Sequence, residues 1–233
     1  MNTKLLSIDY DFFQNATAAE QAILYPDGHD FADTSLRNYI WKMRYQTTPM
    51  LSGIKTNEDL LNTMLKTLSN QKKDTPVTIK NSHVFAYQTA MSLYTTYDIP
   101  INVYHIDMHH DMFNDSPIPD KVDCGNWLLI AKEQGYVNDI TWFKRKASDE
   151  LCPIEKNMKI KPDVVYCDTL EQLKNVQFDS IFICRSDMWS APHLDNGFQK
   201  IIDLCENHFI NVSIEKAIAS PRPQSIYKPK EKT

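Results

Sequence analysis

Two apolar runs that each end in closely spaced acids limit what this chain can fold into. One is Leu5-Leu6-Ser7-Ile8-Asp9-Tyr10-Asp11; the other runs from Ile101 through Val103-Tyr104 to His105-Ile106-Asp107-Met108-His109-His110-Asp111. Both read as buried strands whose last residues turn polar. In extended chain alternate side chains share a face, so Asp9 and Asp11 project together, as do Asp107, His109 and Asp111. Carboxylates crowded together out of water repel one another strongly. A pair of divalent cations resolves that conflict, and carboxylate with imidazole is a donor set suited to Mn or Fe.

Strand and helix signals alternate along the rest of the chain. Strands are expected at Leu5–Ile8, Val77–Ile79, Ile101–Ile106, Ile140–Phe143, Val164–Cys167, Ser180–Cys184 and Ile210–Ile214. Helical spacing of apolar residues predicts helices over Ser35–Tyr45 (through Leu36, Tyr39, Ile40 and Met43), Thr56–Leu68, His83–Tyr94, Trp127–Glu133 and Pro192–Cys205. Alternation of this kind predicts an α/β fold, a single three-layer αβα domain on a mostly parallel sheet. The domain is expected to span residues 1–219, with the Pro- and Lys-rich tail 220–233 as a surface strap or a partly disordered end. Ligands of open α/β sheets bind beyond the carboxyl ends of the strands, and Asp9, Asp11, Asp107, His109, Asp111 and Arg185 all fall there.

Composition removes several function classes. At 233 residues, with 42% hydrophobic and 24% charged residues, the chain suits one soluble globular domain. A net charge of -5 and no basic stripe in the body argue against nucleic acid as a partner. No apolar stretch approaches the ~18 residues of a membrane span. Asp9 comes too early for a secretory signal, so a cytoplasmic location is expected. Five scattered cysteines without a C-x-x-C pair disfavour a disulfide framework and a structural zinc site. Cys124, beside Gly125-Asn126, is the one thiol placed near the acidic motifs, with no activating partner evident. Five glycines, with no G-x-G-x-x-G and no P-loop, argue against a nucleotide cofactor.

Each candidate has a plainer reading beside the functional one. Asp107-x-His109-x-Asp111 reads as metal ligands before it reads as a polar loop. Asp9-x-Asp11 alone is as often a turn as a metal pair; its weight comes from its place after a buried strand, with Phe12-Phe13 to wall off water. His83 follows a predicted strand and can be no more than a helix start, or a sixth ligand. His105 shares the parity of Asp107 but sits deeper, which favours a packed core histidine. His110 has the opposite parity and should point away. Asn126, Trp127 and the segment Arg185-Ser186-Asp187-Met188-Trp189-Ser190-Ala191-Pro192 can meet substrate or form ordinary strand-to-helix connections.

Taken together, Asp107-x-His109-x-Asp111, Ser7-Ile8-Asp9-Tyr10-Asp11 and the strand leading to His83 resemble the arginase/deacetylase superfamily, in particular its dinuclear manganese ureohydrolases. The resemblance implies two Mn2+ ions held by Asp9, Asp11, His83, Asp107, His109 and Asp111. It further implies hydrolysis of a guanidino group to urea and an ornithine-type amine, with Asp111 and His109 as catalytic residues. Cys124-Gly125-Asn126 resembles the family's substrate-contacting glycine-asparagine segment, which makes Asn126, Trp127, Arg185, Ser186 and Asp187 the candidate substrate contacts. In arginases the D-x-D motif follows D-x-H-x-D, whereas here it comes first, so the order implied is circularly permuted. The fuller set, with Asp-Tyr-Asp-Phe-Phe, Ser-His, Gly-Asn-Trp and Cys-Arg-Ser-Asp-Met-Trp-Ser-Ala-Pro, is similar to peptide arginases that convert arginine to ornithine in ribosomally made precursors. An arginine-containing peptide is then the expected partner. A metal-dependent deacetylase or amidohydrolase on the same scaffold, and a metal-binding protein without catalysis, are the competing readings.

Overall fold

The structure is a computed structural model that describes residues 3–24, 33–114, 121–154, 158, 160–166 and 170–227. In chain order its elements are β1 (Lys4–Asp9), α1 (Ala18–Leu24), α2 (Thr34–Thr47), α3 (Glu58–Ser69), β2 (Val77–Lys80), α4 (Phe85–Tyr97), β3 (Ile101–Ile106), α5 (Trp127–Glu133), β4 (Val137–Lys144), α6 (Ser148–Leu151), β5 (Asp163–Tyr166), β6 (Ser180–Cys184), α7 (Asp195–His208) and β7 (Val212–Ile214). The seven strands form one sheet in the order β5-β4-β3-β1-β6-β2-β7, and every pairing is parallel. This is the expected three-layer α/β arrangement, and it is compatible with an arginase-like fold.

The central position of β1 explains its near-continuous apolar character. A parallel strand is covered on both faces. Leu6 and Ile8 pack on one side with α3 and α7, while Leu5 packs on the other with α4 and α5. Helix α3 buries Leu60, Leu61, Met64, Thr67 and Leu68, one stripe at helical spacing, and Asn57 caps it through Leu60 N–H. The chain ends of β1 and β3 are neighbours: Ser7 pairs with His105 and Ile8 with Ile106. The two acidic motifs therefore leave the sheet side by side.

Several elements differ from their sequence-based outlines. Helix α4 begins at Phe85 rather than His83, because the loop after β2 carries Ser82 and His83 across the sheet. It ends at Asp98, which adopts a left-handed φ of 53°. Pro192–Leu194 is a 3-10 turn, and the α-helix proper starts at Asp195. Strand β4 is longer than expected, starting at Val137. The expected strand end at Cys167 and the tail beyond Tyr227 lie outside the described residues. Helix α2 forms where expected, capped by Asp33, yet the stripe that predicted it is not the stripe it buries. Arg37, Trp41 and Tyr45 face inward, and Leu36, Tyr39 and Met43 remain exposed.

The reason lies in the loop after β6. Trp41 Nε1 donates to Asp187 O, Arg44 donates to Met188 O, and Gln14 Nε2 donates to Trp189 O. The start of the tail adds the strongest clamp. Buried Arg222 forms a two-pronged pair with Asp195 and donates to the carbonyls of Asp187 and Ser190. Bidentate guanidinium–carboxylate pairs are strong and directional. Residues 220–227 are thus packed against the domain, and Ile226 is buried as well.

Two substitutions test this packing. Arg222→Met strips buried Asp195 of its two-pronged partner, leaving Arg185 Nη1 at 3.8 Å and the residue-222 N–H, and should cost about 3 kcal/mol in chemical denaturation. Gly197→Ala places a methyl against the hydroxyls of Tyr10 and Thr56. Its expected cost is about 1–3 kcal/mol, and an unchanged denaturation midpoint would contradict the close approach of α7 to the end of β1.

Candidate metal centre

A row of side chains across three strands prepares the site. Ser7 is in register with His105 on one neighbour and with Phe182 on the other. His83, delivered by the loop after β2, lies over this row. Its ring stacks on Phe182 at 5.7 Å, lies 5.2 Å from the His105 ring and 5.5 Å from that of Trp127. Its Nε2 is 2.7 Å from Ser7 Oγ. With Nε2 donating to Ser7, Nδ1 faces the acids, as an N–H when the ring is charged and as a lone pair when a cation takes the proton's place. Nδ1 lies 3.2 Å from Asp9 Oδ2, 3.0 Å from Asp107 Oδ2 and 3.1 Å from Asp111 Oδ2. It makes no hydrogen bond to any of them.

A second group adjoins the first. His109 Nδ1 lies 3.3 Å from Asp11 Oδ2 and 3.4 Å from Asp107 Oδ1. Both carboxylate oxygens of Asp11 are buried without a hydrogen bond. Asp107 belongs to both groups, its Oδ2 on the His83 side and its Oδ1 on the His109 side. Donor atoms of His83, His105, Asp107 and Asp111 lie within 4.8 Å of one another, and so do those of Asp11, Asp107 and His109. All six ligand candidates from the sequence therefore meet in one place. Buried acceptors without donors, converging with imidazole nitrogens, form a cluster that can hold a metal ion.

The electrostatics of the cluster are unfavourable without a cation. Among the described residues, the ionic partners of Asp9, Asp107, Asp11 and Asp111 within 4 Å are all histidines. Burial, aided by the charge of Asp107, raises the carboxyl pKa of Asp9 and pushes Asp111 up to about 7. Burial and the neighbouring Asp9 and Asp107 raise Asp11 well above the carboxylate range. Asp107 takes the negative charge: burial opposes this, but His109 and His83 outweigh it and hold its pKa below the usual range. Burial alone would lower His83, yet Asp111, Asp107 and Asp9 raise it well above its ordinary value. Burial pushes His105 down to about 3, so that ring is neutral.

Neighbouring donors fix the acids. Trp127 Nε1 donates to Asp111 Oδ2 at 2.6 Å, and Ser186 Oγ donates to Asp9 Oδ2 at 2.7 Å. Trp142 Nε1 donates to the Asp107 carbonyl at 3.0 Å. The backbone N–H groups of Asp11 and His109 donate to Asp9 Oδ1 and Asp107 Oδ1. Asp111 and Ser186 both sit in the left-handed region, with φ of 51° and 56°. Non-glycine residues held there store about 1–3 kcal/mol each and need surroundings that enforce the geometry.

The five expected substrate contacts have other partners here. Trp127 is fully buried behind Asp111, at the start of α5. Asn126 braces its own loop, accepting from Asp123 N–H and donating to Lys121 O. Arg185 is buried and paired with Asp187, and donates to Ser220 O. Asp187 is held below the usual carboxylate range, chiefly by Arg222 and Arg185 against the effect of burial. Ser186 reaches the cluster through Asp9. His110 points away, as its parity implies: its Nδ1 accepts Met112 N–H, and its ring lies against Phe113 and Trp142. His105 is a buried histidine as the sequence suggests, but its contacts to His109 O and Asp107, and that of Ser7 to His83, were not foreseen. Their shared parity with the acids was the available signal, but the register that aligns them across two strands was not.

No protein-family model, curated protein or solved structure matches the chain. No helix among the described residues is long and apolar enough to cross a membrane.

The raised groups predict an inverted pH dependence for the metal-free protein. Above about pH 6.5 the unfolded chain has released the protons that Asp11, Asp111 and His83 retain when folded, so stability falls as pH rises. His105 acts oppositely, but its contribution is complete by about that same pH. The melting temperature of stripped protein should drop between pH 6.5 and 8, and saturating Mn2+ should remove the drop. A stripped protein that melts higher at pH 8 would contradict this account of the cluster.

Proposed function

We propose that the chain is a two-metal hydrolase of guanidino groups, acting on arginine within a peptide to yield ornithine and urea. The observation that carries this reading is the division of Asp107, whose two oxygens face two separate His/Asp groups. A carboxylate placed in that way could serve both groups if each held a cation. His83, Asp9, Asp107 and Asp111 would hold one Mn2+, and His109, Asp11 and Asp107 the other. Two such ions supply hydroxide near neutral pH and polarise the group under attack.

Guanidinium is delocalised and permanently charged, which makes it a poor electrophile and calls for a fixed, strong nucleophile. The chain's own residues supply the fixing and the proton transfer. Asp111, its Oδ2 held by Trp127 Nε1 beside the cluster, is placed to accept a proton and return it to the departing amine. The peptide reading comes from the resemblance of the motif set to peptide arginases, and Arg185, committed to Asp187 and Ser220, is not offered to a substrate carboxylate.

Urea release from arginine-containing peptides, arginine and agmatine by Mn2+-reconstituted protein tests the proposal directly. Asp107→Asn should lower turnover on the order of 10²–10³-fold or more, the scale on which removing one electrostatic group from a reacting site acts. In metal analysis, Asp107→Asn should weaken both ions, whereas Asp11→Asn should spare the one beside His83. A second reading, a metal site that only stabilises the fold, is favoured by the burial of the cluster, where even His109 is 8% exposed. Stoichiometric cation binding with no urea from any guanidino compound would select it.

A further inference from the structure

We infer that His105 is a positioning residue of this metal centre: its Nε2–H forks between the His109 carbonyl and the Asp107 carboxylate, tying the two cation-holding groups together. The inference rests on the two-metal reading and goes beyond it, since the arginase resemblance leaves this imidazole without a role.

The distances set the assignment. His105 Nε2 lies 3.1 Å from His109 O, 3.4 Å from Asp107 Oδ2 and 3.7 Å from Asp111 Oδ2. A carbonyl oxygen only accepts, so a nitrogen hydrogen-bonded to it carries the proton. The lone pair of the ring is then on Nδ1, which is buried and has no hydrogen-bond partner. A ring in that tautomer cannot ligate through Nε2, although Nε2 is the atom within reach of the acids. His105 is therefore a donor beside the ligands and not one of them. Its base is rigid, because β3 is paired on both sides, with Ser7 and Trp142 flanking His105 in the sheet. His109 lies in the loop beyond the strand, where its own N–H donates to Asp107 Oδ1. One N–H therefore anchors the backbone of the second group's imidazole while it touches the carboxylate shared by both groups.

The consequence is asymmetric. His83 is held by Ser7 and Phe182 without help from His105 hydrogen bonds. His109 depends on the loop that His105 restrains. Loss of the N–H should weaken the second cation more than the first.

The test uses full-length, metal-stripped protein titrated with Mn2+, as wild type, His105→Gln, His105→Asn and His105→Leu. A glutamine amide reaches the place of Nε2, and an asparagine amide reaches only that of Nδ1. Leu and Asn should weaken the second Mn2+ by roughly 10–100-fold, the range for lost supporting hydrogen bonds at metal sites, and Gln should restore it to within about threefold. Nitrogen-15 NMR of wild type should show His105 as the Nε2–H tautomer, both stripped and zinc-loaded. A role in packing alone would be met by Leu, so Leu binding like wild type, or Gln failing like Asn, overturns the inference. A zinc-induced shift that marks Nε2 as coordinated also overturns it. Should the variants fail to fold, the wild-type tautomer decides by itself. A wild type that binds fewer than two Mn2+ overturns the two-metal reading, whereas an Nδ1–H tautomer in stripped protein overturns the His105 assignment alone.

Discussion

Four carboxylates buried within a few ångströms of one another are the constraint around which this structure is arranged. Among the described residues only imidazoles lie within ion-pair distance of Asp9, Asp11, Asp107 and Asp111, and Arg145 acts on Asp11 from farther off. Such a cluster costs stability unless protons or cations join it. The fold tolerates it by loading negative charge on Asp107 and raising the pKa values of the other three. That polarisation, one ionised acid facing both ways among acids that readily keep a proton, belongs to a cluster that could hold a metal ion.

Holding the acids in place falls to groups that never touch one another in sequence. Ser7 from β1, Trp127 from the start of α5 and Ser186 after β6 each address a different ligand candidate. Ser186 is itself held by a loop that Trp41, Arg44 and Arg222 brace from three directions. This chain of contacts links the tail to the cluster: Arg222 fixes the carbonyls of Asp187 and Ser190, their loop fixes Ser186, and Ser186 fixes Asp9. Two positive-φ residues, Asp111 and Ser186, lie within this network, where the surrounding bonds offset their strain.

Much of the fold was legible because β1, β3 and β6 are buried on both faces and therefore read as apolar runs, with boundaries that match closely at Ile101–Ile106 and Ser180–Cys184. The ligand candidates were legible for a related reason: period-two spacing after a strand puts Asp107, His109 and Asp111 on one side. Helix α2 shows where pattern reading stops. Its period predicted a helix correctly, but the face it buries was decided by Trp41 and Arg37 reaching a loop 146 residues away in sequence. The loop after β6 stayed open between two readings for the same reason. Arg185 and Asp187 look like groups offered to a ligand until the buried pair they form, and the tail that joins it, are seen together.

The sequence by itself determined that strands would alternate with helices and that acids would fall at strand ends, because local periodicity depends on neighbouring residues alone. Only the tertiary structure decided that β1 lies between β3 and β6, that His83 crosses over to Ser7, and that Asp107 divides its oxygens between two groups. Strand order and register are set by packing among distant segments, and no local pattern encodes which strand ends will meet.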